Sequence, residues 1–250
     1  MPPSIVAGLW GALAGSSLLL GALIGYFADL PQRWVSAIMA IGAGVLISTL
    51  SFELMQDAVE RGGLQWTAAG FMTGALVYSV ANLLVSSYGA KHRKRSGEQQ
   101  PSENDAAGSG VALAVGALLD GIPESIAIGV SLLAGEGVSA VAVIGVFLSN
   151  LPEGLSSASG MKRAGRSWRY IFGVWGGIAF LCGLASLLGY TAFARASGGV
   201  IAAITATAAG AILAMLADTM MPEASEGSQE LTGMLTVFGF LLAFLLHSLA

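Results

Sequence analysis

The stretch LDGIPESIAIG, residues 119–129, decides how this chain is read. It sits inside an apolar run, yet it holds Asp120, the helix-breaking Pro123 and Glu124. A second such stretch, LSNLPEGLSSA at 148–158, repeats the Pro-Glu pair at Pro152 and Glu153. The surroundings fix the class of protein. Of the 250 residues, 55% are hydrophobic and only 10% charged, against about 25% charged in a soluble domain, and the mean hydropathy is +0.75. The apolar residues come in blocks that reach the ~20 residues a bilayer-spanning helix needs.

The blocks predict an all-α, polytopic membrane protein with eight spans in a single transmembrane domain, 1–250. The spans fall roughly at 4–28, 34–56, 64–89, 109–133, 138–160, 169–193, 198–221 and 230–248. Small residues four apart, such as Gly11/Gly15, Gly21/Gly25 and Gly173/Gly177, let helix backbones approach closely in lipid. The start, MPPSIVAGLWG, has no Lys or Arg before its apolar stretch, which argues for a retained first helix over a cleaved signal. The lone cysteine, Cys182, rules out a disulfide within the chain.

The longest polar segment, KHRKRSGEQQPSENDAAG at 91–108, predicts a flexible loop over 90–108 between spans three and four. If the spans alternate, one side collects Arg33, Lys91, Arg93, Lys94, Arg95, Lys162, Arg163, Arg166 and Arg169, and the other only Arg61 and Arg195. That bias places the basic side in the cytoplasm and both termini outside. The expected location is an integral membrane protein, in the inner membrane if the cell is bacterial.

Ionisable residues within spans are costly and mark pathways or sites. Asp120 and Glu124 are four apart and share a helix face. Asn150 and Glu153 lie in the fifth span, with Ser149 a turn before Glu153. Proline has no N–H for the carbonyl four residues earlier, so Pro123 frees that of Leu119 and Pro152 that of Leu148. Freed carbonyls in lipid must find partners or line a wet cavity. Two such helices facing each other predict an oxygen-lined pocket bearing Asp120, Glu124 and Glu153. No Lys or Arg lies within the spans as counter-ion, which favours a bound cation. Glu53 and Asp218 are further intramembrane acids. Asp57, Glu60, Glu223, Glu226 and Glu230 read as solvated helix ends, and Ser156, Ser157 and Ser159 as bonding back to their own helix.

This pattern resembles the ZIP family of divalent-metal transporters, as a member with atypical metal-site motifs. The resemblance rests on Asp120-Gly121-Ile122-Pro123-Glu124-Ser125, on Ser149-Asn150-Leu151-Pro152-Glu153-Gly154, and on AGAILAMLADTMMPEA at 209–224. It implies eight spans with inverted repeats, one to three against six to eight, around a metal centre on the fourth and fifth. Carried over by position, the metal residues are Asp120, Glu124, Ser149, Asn150 and Glu153. Asp120 replaces the usual histidine, Gly121 the adjacent asparagine, and the sixth-span Glu-Pro pair is missing; Cys182 falls near there and reads as core ahead of ligand. Oxygen donors without imidazole suit manganese, magnesium or ferrous iron better than zinc.

The expected activity is therefore secondary transport of a divalent cation (zinc, manganese, iron or cadmium) towards the cytoplasm, with no prosthetic group. Two alternatives stay open: a proton-coupled carrier of another solute, and a membrane protein that binds or senses metal without flux. No enzyme is expected, because His92 and His247 lie in a loop and at the last turn and offer no intramembrane base. Expected partners are the cation and the lipid bilayer, with no nucleic acid; a homodimer is the assembly to test.

Overall fold

The computed structural model describes residues 1–28, 30–102, 104–106, 108–134, 140–227 and 230–249. Among these the chain is helical, with no strand. In order the helices are α1 (Pro3–Phe27), α2 (Gln32–Thr49), α3 (Gln56–Val85), α4 (Ser109–Ser131), α5 (Ala140–Arg163), α6 (Trp168–Phe193), α7 (Gly198–Met215), α8 (Met221–Glu226) and α9 (Thr232–Leu249). The expected start of the fifth span, 138–139, lies outside the described residues.

Six helical stretches are long and apolar enough to cross a membrane: Pro3–Phe27, Gln32–Ala90, Ser109–Ser131, Trp168–Phe193, Gly198–Glu226 and Thr232–Leu249. The Gln32–Ala90 stretch is not one rod. Gly63 has φ 77 and ψ 174, a backbone region open mainly to glycine, and there α3 breaks between residues 62 and 64. α5 adds 24 helical residues, and its mean apolarity is lowered by Asn150, Glu153 and a run of serines.

Among the described residues three wide helical turns follow regular helices, at Ser86–Ala90 after α3 and, each holding an acid, at Leu50–Met55 after α2 and Leu216–Met220 after α7. Such π-type turns carry one extra residue and are frequent at functional sites. The two acids are Glu53 and Asp218. Hydroxyls attend to nearby carbonyls: Ser51 donates to Ile47 at 2.7 Å and Thr219 to Met215 at 2.8 Å.

Glycine sets the helix spacing. A Cβ on Gly21 would fall 2.0 Å from the Leu151 carbonyl oxygen, and one on Gly154 2.1 Å from that of Leu18. α1 and α5 therefore touch backbone to backbone. Gly74 and Gly210 do the same for α3 and α7, against the carbonyls of Thr207 and Phe71 at 1.9 and 2.0 Å. This is packing by close approach, as expected where lipid removes the hydrophobic drive between helices. By contrast Gly173 and Gly177 have open space around them, so that pair does not mark a contact.

The apolar side chains left outside form a belt. Leu64, Met72, Leu76, Leu83 and Leu84 on α3, with Met234, Val237 and Phe238 on α9, are all exposed. Large apolar side chains facing outward on this scale are unlike a soluble surface and match an integral membrane protein. One end of the bundle gathers the last turns of α1, α3, α5 and α8 with the first turns of α2, α4 and α6, as the contacts Gln32–Glu223, Tyr26–Phe172 and Arg166–Ser109 show.

Candidate metal centre

α4 and α5 bring Asp120, Glu124, Asn150 and Glu153 into the interior, all 1–3% exposed. Both helices run uninterrupted through Pro123 and Pro152. The prolines thus do not open the wide, oxygen-lined gap expected from sequence. The space beside the carboxylates is filled instead by two cations from the segment after α3.

Arg93 and Lys94 are buried, 1% and 3% exposed, although composition places both in a flexible cytoplasmic loop. The Arg93 guanidinium grips Asp120 with two hydrogen bonds, from Nε to Oδ2 and from Nη2 to Oδ1, both 2.8 Å. Such fork-on-carboxylate pairing is the strongest common form of ion pair. Its other donors are also satisfied: Nη2 reaches Tyr78 Oη at 2.7 Å, and Nη1 reaches Asn82 Oδ1 at 2.8 Å and the Ala90 carbonyl at 3.3 Å. The Tyr78 hydroxyl in turn donates to Asp120 Oδ1 at 2.6 Å. Asp120 is therefore engaged by arginine and tyrosine in this structure.

Lys94 sits between the two helices. Its Nζ lies 2.9 Å from Glu153 Oε2 and 3.4 Å from Asp120 Oδ2. The counter-ions missing from the spans thus come from a neighbouring segment, which sequence position could not reveal. Glu124 differs from both other acids. Its two oxygens are buried and accept no hydrogen bond among the described residues, with the Asn150 side chain beside it. Asn150 Nδ2 reaches the Ala14 carbonyl of α1 at 3.4 Å. On its other side Glu124 borders a small cavity that Leu46, Leu50, Val146 and Ile212 also line. Ser149, expected as a ligand, donates to the Val146 carbonyl at 2.9 Å. Cys182 packs in an apolar cluster against α4, its Sγ 3.9 Å from the Gly121 carbonyl.

Several of the other described acids also have partners. Glu53 lies 2.6 Å from His247 Nδ1, Asp57 pairs with Arg61 at 2.6 Å, and Asp218 accepts from Asn82 at 3.2 Å. Glu223, expected as a solvated helix end, is instead fully buried. Its Oε1 is met by Ser96 N at 3.0 Å, Ser96 Oγ at 2.5 Å, Gln32 Nε2 at 3.0 Å and Ser156 Oγ at 2.9 Å. Ser156 correspondingly faces this carboxylate and the Lys94 carbonyl, at 2.5 Å, and does not bond back to α5 as expected. Gln100 completes the docking by donating to the carbonyls of Arg93, Arg95 and Ser157 at 3.1, 2.8 and 3.1 Å.

Among the described residues, no three His, Cys, Asp or Glu side chains converge as a ready metal cage. The donors nearest to such a set are Glu124, Glu153 and Asn150, all oxygen donors, with the place of a cation at Glu153 taken by the Lys94 ammonium. Oxygen-only sets suit hard divalent ions.

Comparison with known proteins gives a partial likeness. Over 143 residues, 55% of this chain, the sequence is 27% identical to a protein of Arabidopsis thaliana that bears the name "putative zinc transporter". The matched region is 21% of that protein's length. No family model matches the chain.

Proposed function

We propose that the chain is a carrier of divalent metal cations, of the ZIP type, with its transport site on α4 and α5. The observation that supports this most is Glu124: a carboxylate in the centre of the bundle whose oxygens accept no hydrogen bond among the described residues, beside Asn150 and near a second buried carboxylate, Glu153. A buried charge without a partner is costly, and a divalent cation bridging Glu124 and Glu153 removes that cost for both. The name of the plant relative adds support for metal as the cargo. Asp120, held by Arg93, serves in this reading as an anchor in the described state, and Ser149 joins only after its hydroxyl leaves Val146.

Eight spans accommodate the geometry: α1, the two rods separated at Gly63, α4, α5, α6, α7 with its extension to Glu226, and α9. The packing supports an inverted repeat of the first three against the last three. α1 packs on α5 as α6 packs on α4, α2 packs on α9 as α7 packs on α3, and α1 meets α6. The second and seventh rods also share a wide turn with an acid, Glu53 and Asp218. Transporters built this way hold their substrate near mid-membrane and move by rocking one repeat against the other. With the basic end in the cytoplasm, Arg93 and Lys94 approach the carboxylates from the inner side.

A proton-coupled carrier of another solute is the second reading, favoured by the Lys94–Glu153 pair, since a lysine–carboxylate contact can pass a proton. Uptake into proteoliposomes of zinc, manganese, ferrous iron and cadmium separates the two. Saturable flux lost in Glu124→Gln and Glu153→Gln is the result expected of the metal carrier. Flux unchanged in both variants would sink it. No enzymatic role, prosthetic group or nucleic-acid partner enters this reading.

A further inference from the structure

We propose that residues 93–100 are an autoinhibitory plug, in which the Lys94 ammonium occupies the cation position at Glu153 and must leave before a metal binds there. The inference rests on the carrier reading for its metal half only; the plug itself stands on geometry. The segment enters the bundle at the end where α3, α5 and α8 terminate. Arg93, Lys94, Ser96 and Gln100 are at most 4% exposed, far from the solvation that so polar a run demands.

The two cations do different work. Arg93 is fixed by partners on three sides: Asp120 on α4, and Tyr78 and Asn82 on α3. Lys94 has a single point charge between Glu153 and Asp120, 2.9 and 3.4 Å away. An ammonium on a flexible stem exchanges partners more readily than a guanidinium held in a fork. Arg93 is therefore the hinge of the plug and Lys94 the part that a metal displaces.

Glu223 is the latch at the far end. Its Oε1 gathers the Ser96 amide, Gln32 of α2 and Ser156 of α5, and Arg95 lies 3.6 Å from Oε2. Arg95 also bonds the Pro222 carbonyl at 3.0 Å and Glu226 at 2.5 Å. A Cβ on Gly160 would lie 2.0 Å from the Arg95 carbonyl oxygen, so α5 has a glycine where the plug presses closest. The same carboxylate chemistry thus holds the plug at both ends, and a divalent ion at Glu124 and Glu153 competes for one of them.

Hydrogen–deuterium exchange on the purified full chain tests this without a transport assay. Within 93–100 the hydrogen-bonded amides of Arg93, Arg95 and Ser96 should exchange slowly in the native chain, and at least tenfold faster in Lys94→Gln and in Glu153→Gln, while α1 and α5 keep native protection. Lys94→Arg should stay slow. Fast exchange in the native chain, or no change in either variant with α1 and α5 intact, would overturn the plug. Added Mn²⁺ should speed exchange of 93–100 in the native chain, with binding of Mn²⁺ followed in parallel by electron paramagnetic resonance. Binding without faster exchange would overturn the competition. An absence of binding in the native chain and in Lys94→Gln would contradict the carrier reading instead, and the metal-free comparison would still decide the plug.

Discussion

The contact between Arg93 and Asp120 carries a prediction that is easy to quantify. Both side chains are 1% exposed, so removing Arg93 leaves the Asp120 charge buried with Tyr78 and the more distant Lys94 as its support. Breaking one partner of a buried ion pair costs about 3–5 kcal/mol, whereas replacing both by apolar groups is often neutral. The Arg93→Met variant also strands Asn82 Oδ1, adding about 1 kcal/mol for a buried acceptor left without its donor. The single variant should therefore lose about 4–6 kcal/mol in equilibrium unfolding in mixed SDS micelles. The double variant Arg93→Met/Asp120→Leu should regain more than half of that, because the uncompensated charge is gone. A loss below about 1 kcal/mol for Arg93→Met, the range of an exposed pair, would refute the buried pairing. So would a double variant as unstable as the sum of its singles.

Other outcomes follow from different parts of the fold. Gly21→Ala places a methyl 2.0 Å from a backbone carbonyl and should cost about 1–3 kcal/mol by overpacking, while Gly173→Ala, in open space, should stay within about 0.5 kcal/mol in the same unfolding assay. His92 is held below the ordinary histidine value by partial burial, then by Arg95 and Lys91, with Glu226 acting weakly the other way. Docking is thus favoured with His92 neutral and weakens as pH falls through about 6.5, the unperturbed value, where the released segment takes the proton first. The protection factors of amides 93–100, corrected for the intrinsic pH dependence of exchange, should fall between pH 7.5 and 5.5 and do so much less in His92→Gln; equal slopes would remove the histidine from the account. Lys94→Gln should raise Mn²⁺ affinity at least tenfold, and unchanged affinity by equilibrium dialysis would count against competition at Glu153.

Much of the architecture was legible because lipid imposes simple rules. Apolar length placed the helices within a few residues, and the polar stretch between the expected spans 34–56 and 64–89 contains the break at Gly63 in α3. Asp120, Glu124, Asn150 and Glu153 announced themselves as polar groups where polar groups are costly, and the structure brings all four inside. The same logic failed for Arg93, Lys94 and Glu223. Each belongs to a polar run whose composition looks solvated, and burial there depends on tertiary partners that spacing does not encode. Two signals could have pointed to them. Tyr78 and Asn82 are four apart on an otherwise apolar face of α3, so they required a polar neighbour. Three buried acids without cations in any span also demanded counter-ions from somewhere. Ser156 failed for a similar reason: a serine within a helix has a local carbonyl available, and only the docked segment supplies the better partner. The prolines misled in another way, since an uninterrupted helix absorbs each of them.

The central claim is that Glu124 is half of a cation site. Its most direct test is Mn²⁺ and Zn²⁺ uptake into proteoliposomes by the native chain and by Glu124→Gln, with both proteins checked for native unfolding behaviour. The account predicts saturable uptake by the native chain and loss of at least 90% of it in the variant, on the order of the tenfold or greater change that removing 1.4 kcal/mol or more of site energy produces. Equal uptake by the two proteins would contradict it.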